Sequence, residues 1–220
     1  NIAPVDLRQA VIGPGIAIYS QAKEVINPDD SFMNVRDALI EINIALDEYL
    51  SENDGDLDND SRFALTFFEN FGYEERDYGD AEGLARARNV SVKGVVSAGI
   101  LLAREGKARL IPRTQLDHSW NPSLDNRLTV WEATQHLIFK LECEGEFASA
   151  KLLSELNQIP GQDNLPANCL ALAYRLFNHC EKKKAFEEAK SYNGLVIAWP
   201  ELEKLALSFD VKVDSQKTLF

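Results

Sequence analysis

Residues 100–111, "ILLAREGKARLI", alternate about Glu105-Gly106, the pattern of a β-hairpin. The segments on either side of it, from residue 61 onward, carry helical periods, so one tight hairpin has to be accommodated among helices. Phe63, Phe67 and Phe71 fall on one face of "SRFALTFFENFG", which Gly72 stops. "GDAEGLARARN" reads as a second helix with Asp80 as its cap, and "SVKGVVSAG" as a third, begun by Ser91 and ended by Gly99. Helix, helix, helix, hairpin is the order of a winged helix-turn-helix with a β-hairpin wing, and residues 61–113 are assigned to such a unit.

Before it, residues 1–60 read as a mixed N-terminal arm. "VDLRQAVIGPGIAIYS" is broken at Gly13-Pro14-Gly15, and "KEVINPDDSFM" holds two β-leaning pieces about Pro28-Asp29-Asp30. Val35, Leu39, Ile42, Leu46 and Leu50 then line an amphipathic helix that Asn34 can cap, and the acidic "SENDGDLDNDSR" reads as a solvated loop leading to an N-cap. After it, residues 114–209 read as a helical bundle. Thr129 and Glu132 form a capping box for a helix that stops at Gly145. "EFASAKLLSELNQI", "LPANCLALAYRLFNHCEKKK" and "AFEEAKSYNGLVIAW" follow, with Pro200 opening a final helix, "PELEKLALS". Residues 210–220 are expected to be a loosely held tail. The fold class is mainly α (α+β).

Charge singles out the same middle unit. The chain has 23 Lys+Arg against 35 Asp+Glu, yet residues 83–113 carry seven basic side chains and one acidic one. Phosphates reward such clustering through counterion release, even in a protein of negative net charge. In the third helix Val92, Val95 and Val96 form an apolar side and leave Ser91, Lys93, Gly94 and Ser97 outside, small enough for close approach to a groove. Arg104, Lys107, Arg109 and Arg113 surround the hairpin turn, and Arg86 and Arg88 end the preceding helix, within reach of flanking phosphates. The pattern points to duplex DNA, with Lys93 in the groove and the wing on the backbone. A winged helix that docks protein, or one that is purely structural, would carry the same elements.

Other chemistry finds little support. The longest uncharged apolar run, "GVVSAGILLA", is about half what a membrane-spanning helix needs. No signal or transit peptide opens the chain, so a cytoplasmic protein is expected; residue 1 is Asn and the only Met is Met33, as in a piece of something longer. Cys143, Cys169 and Cys180 form no C-x-x-C pair, His136 and His179 lack zinc-ligand spacing, and free buried thiols are expected. The acidic run Asp54, Asp56, Asp58, Asp60 lacks a calcium loop's sixth-position Gly and twelfth-position Glu: counted from Asp54, those places hold Asn59 and Leu65. "IGPG" at 12–15 reads as a plain turn, no hydrolase motif surrounds a Ser or Cys, and no Asp-Pro-Pro-Tyr or Asn-Pro-Pro-Tyr appears. No catalytic residue, cofactor or metal is assigned, and the chain is not expected to be an enzyme by itself.

Four stretches, "DLRQAVIGPGIAIYS", "RLTVWEATQHLI", "LAYRLFNHCEKK" and "AKSYNGLVIAWPE", are less generic. Together they resemble the C-terminal region of a family of large proteins assigned as adenine-specific DNA methylases, found in anti-phage gene clusters. The resemblance runs from about Asp6 to Pro200. It implies a parent with a methyltransferase core, an S-adenosylmethionine site and a Zn-ribbon insertion, none of which maps onto a residue here. The partners it implies are that core, duplex DNA and other components of the defence system.

Overall fold

An acidic turn starts the first helix. In the computed structural model, which describes residues 57–217 and the side chains of 57–209, Asp58 accepts a hydrogen bond from the Ser61 N–H at 2.7 Å and caps α1, Asn59–Phe71. The readings made for residues 1–56, including Asp54 and Asp56, lie outside the described residues. Phe63 and Phe67 are fully buried, Phe71 packs at the edge, and successive rings lie 5.9 and 5.1 Å apart. Gly72 leaves the helix at φ +60°, where a side chain would be strained.

A two-residue strand, β1 (Arg76–Asp77), leads into α2 (Tyr78–Ala87), followed by α3 (Val92–Ser97), β2 (Leu101–Arg104) and β3 (Lys107–Leu110). Ser91 caps α3 by accepting from the Gly94 N–H at 3.0 Å. Glu105 and Gly106, at φ +51° and +76°, form the two-residue turn, whose paired positive φ values match the twist of the flanking strands. The sheet is antiparallel in the order β1-β3-β2, with Arg76 opposite Ala108 and Arg104 opposite Lys107. Leu101, Ala108 and Leu110 are buried in the core, while Arg104 and Lys107 stay exposed.

The second helix starts earlier than Asp80. The Tyr78 N–H donates to the Gly106 carbonyl at 2.8 Å, and Asp77 takes the extended N-cap position, leaving Asp80 inside the first turn. That start is set by pairing with the hairpin, some thirty residues away in the chain.

Two single 3-10 turns, Arg113–Gln115 and Pro122–Leu124, lead to α4 (Val130–Glu144), α5 (Glu146–Asn157), α6 (Leu165–Lys183) and α7 (Phe186–Lys217). Thr129 caps α4 by accepting from the Glu132 N–H at 3.2 Å. Every residue from Val130 to Phe139 is buried, so α4 is the central helix, with α5, α6 and α7 packed on one part of it and α1 on another. One apolar cluster runs from Phe63 and Leu110 through Trp131 to Trp199. Among the described residues no helix is long and apolar enough to cross a membrane.

Pro200 does not open a separate helix; it lies inside α7. An interior proline costs about 3 kcal/mol, but Trp199, Leu202 and Ala206 are all buried on the same core. Burying one large apolar side chain contributes about 1.5–3 kcal/mol, so packing on both sides of Pro200 outweighs the break. Cys169 and Cys180 are free and buried, their thiols pushed up by burial to about 12 and about 11; Cys143 is exposed, contrary to expectation, because it follows the buried stretch of α4.

Candidate nucleic-acid interface

Helix α3 is seated at both ends. Its inner side is Val92, Gly94, Val95 and Ala98; its outer side is Lys93, Val96 and Ser97, which are three and four apart. Two expectations are corrected here. Val96 is 38% exposed, whereas Val95 is fully buried. Gly94 faces inward, and a Cβ there would stand 2.6 Å from the Arg127 terminal nitrogen. The missing side chain therefore admits Arg127 rather than a DNA groove. Arg127 donates from Nε and Nη2 to Asp60 Oδ2 at 3.0 and 2.8 Å, tying this corner of α3 to α1. At the other end Gly99, at φ +64°, passes so close to Glu132 that a Cβ would lie 2.3 Å from Oε1.

The basic residues separate into groups once the chain is folded. Lys93, Arg86 in the last turn of α2 and Arg104 at the end of β2 are exposed, and none forms an ion pair with a described residue. Lys107 pairs with Asp77 across the sheet at 2.5 Å. That contact raises the Lys107 pKa, with Glu75 and Asp80 adding smaller contributions, and lowers that of Asp77. Arg109 Nη2 donates to Gln115 Oε1 at 2.8 Å, and Arg88 Nε donates to Thr66 Oγ1 at 3.0 Å. Ser91 is occupied as a cap, and Ser97 Oγ donates to the Lys93 carbonyl at 3.0 Å. The positive run in the sequence is partly neutralised in space, since β1 carries Asp77 to the wing.

Arg113 faces the bundle, not the wing surface. Its side chain is 12% exposed, bonded to Glu188 at 2.8 Å and to Gln135 at 3.2 Å, with the guanidinium 5.1 Å from the Tyr192 ring centre. Tyr73 donates to the same Gln135 Oε1 at 3.4 Å, and its hydroxyl lies 3.3 Å from that of Tyr192. Burial pushes the Tyr73 phenol well above its ordinary pKa. This buried network ties the end of the hairpin to α4 and α7. It removes Arg113 from the surface set, because the group is committed to an internal carboxylate.

A second polar group went unrecognised in the sequence. Burial first, then the facing Asp125 carboxylate, pushes Glu132 up to about 8, so the group is neutral at pH 7. Its Oε2 is buried without a hydrogen-bond partner. Trp120 Nε1 donates to Asp125 Oδ2 at 2.9 Å and its ring stacks on His136 at 4.2 Å. His136 is pushed down to about 4 by burial and stays neutral as well. These groups position the loop before α4 beneath Gly99. Their one sequence signal is polar Glu132, Gln135 and His136 inside an otherwise apolar stretch, which the capping-box reading of Glu132 absorbed. Among the described residues no group of three or more His, Cys, Asp or Glu stands together as metal ligands would.

No curated protein and no solved structure matches the chain. One family profile does, over residues 58–219, which takes in the whole helix–hairpin unit and the bundle. The chain belongs to that family, described as a domain of unknown function (DUF8807).

Proposed function

We propose that α1 to β3 act as a winged helix-turn-helix that holds duplex DNA, with α3 toward the major groove and the β2–β3 turn as the wing. The observation that carries this reading is the set Arg86, Lys93 and Arg104: three exposed cations on successive elements, none paired with a described residue. Lys107 and Arg109 sit beside them with their charges partly engaged. Backbone phosphates suit such a set, because they fix register without reading bases.

The chain is then a non-catalytic target-positioning domain of the adenine-specific methylase it resembles. Such an enzyme has to hold the duplex while the target base is flipped into its active site. The S-adenosylmethionine site and the zinc ribbon fall to other parts of that parent, and no residue of this chain is assigned to either. Anisotropy titration of a labelled duplex at 50 and 200 mM salt tests the reading. Binding that weakens steeply with salt supports it; no binding at 50 mM removes it.

A second reading, a platform that docks other components of the defence system, rests on a different surface. Phe186 and Ile197 are exposed on α7 at a spacing that places them on one face. Binding of a partner protein that survives neutralisation of Arg86, Lys93 and Arg104 would favour it.

A further inference from the structure

The outer stripe of α3 offers few ways to read a base pair. Ser97 gives its hydroxyl proton to the Lys93 carbonyl, and Ser91 is occupied at the helix cap. What remains on the stripe is one cation, Lys93, and one apolar side chain, Val96, three residues on and adjacent on the surface. Val96 contributes little to the core, being 38% exposed where Val92 and Val95 are 6% and 0%. A β-branched residue is also a poor choice for a short exposed helix, where lysine or alanine would serve the backbone better. Its position next to the unpaired Lys93 suits a groove carrying an apolar group beside negative potential. In the major groove only thymine displays a methyl group, and guanine displays two acceptors that a lysine can reach.

We infer that Val96 contacts a thymine C5-methyl in duplex DNA, with Lys93 on the acceptors of a neighbouring guanine. The inference rests on the DNA-binding reading above and adds to it which chemical group is read. Removing one methyl from an apolar contact costs about fourfold in affinity, at about 0.8 kcal/mol per buried carbon.

The test uses the full chain and a random pool of duplexes about 20 base pairs long, enriched by binding and then copied with either thymine or uracil. Uracil lacks only the methyl group, so phosphate contacts and base pairing are unchanged. The wild type should bind the thymine pool about fourfold more tightly than the uracil pool. Val96→Ala should bind both pools alike, at the level the wild type shows with uracil. Val96→Thr, which keeps one methyl, should restore part of the preference. Equal binding of both pools by the wild type overturns the inference while leaving the DNA-binding reading intact, and so does a Val96→Ala protein that keeps the thymine preference. No binding to either pool overturns both.

Discussion

Asp58 Oδ2 accepts a hydrogen bond from the Val130 N–H at 3.0 Å, so one carboxylate serves the first turns of two helices that are 72 residues apart. Its other oxygen caps α1 through Ser61, and the buried Ser61 hydroxyl accepts from the Trp131 N–H at 2.8 Å. The acidic run expected to be a solvated loop is, over Asp58 and Asp60, the joint between the helix–hairpin unit and the bundle.

Asp58→Ala should therefore cost about 2 kcal/mol, more than an ordinary cap, because two buried-end donors lose their acceptor together. Urea unfolding of the wild type and variant measures it, and Asp58→Asn should recover a good part. A loss below about 0.5 kcal/mol would show that water replaces the carboxylate at both helix ends.

Glu132 makes stability depend on pH. Its folded pKa of about 8 lies above the ordinary 4.5, so its contribution is fully present below pH 4.5 and is lost as pH rises through 8. His136 has the opposite sense: lowered from 6.5 to about 4, its contribution is present above pH 6.5 and is lost as pH falls through 4. Glu132→Gln should match the wild type in melting temperature near pH 4.5 and exceed it increasingly toward pH 8, by an amount on the order of 1–3 kcal/mol. Parallel melting curves across that range would contradict the assignment.

Arg113→Ala should destabilise the fold by about 3 kcal/mol, since it leaves Glu188 without its partner and opens space beside Tyr192. Arg113→Met, which keeps the stem's bulk, should cost less. Thermal unfolding separates the two. A stable Arg113→Ala protein with weakened DNA binding would instead return this residue to the surface set.

For DNA, the triple change Arg86→Ala, Lys93→Ala, Arg104→Ala should flatten the salt dependence by about 0.9 in log–log slope for each phosphate the protein no longer neutralises. Lys107→Ala should change the slope less than Arg104→Ala, because Asp77 already holds that charge. Circular dichroism should show all these proteins folded. An unchanged slope in the folded triple variant would move the DNA surface elsewhere or remove it.

The elements were legible where their cause is local. Phe63 and Phe67 at helical spacing, Gly72 as a stop, the Ser91 and Thr129 caps and the Glu105-Gly106 turn each act within one or two turns of backbone. The surface was less legible. Val96 and Gly94 sit in a helix of six residues, too short for periodicity to choose its inner face, and the choice fell to Arg127.

By itself the sequence determined which segments are helical, where the hairpin turns and which residues carry charge, because propensity, capping and turn strain depend on neighbours along the chain. Only the tertiary structure decided what those residues do. Burial turned Arg113 inward and kept Glu132 neutral, strand pairing set Asp77 against Lys107, and packing carried α7 through Pro200. Desolvation and Coulomb energy depend on distance in space, and for Lys107 and Arg113 that distance is set by partners 30 and 75 positions away in sequence.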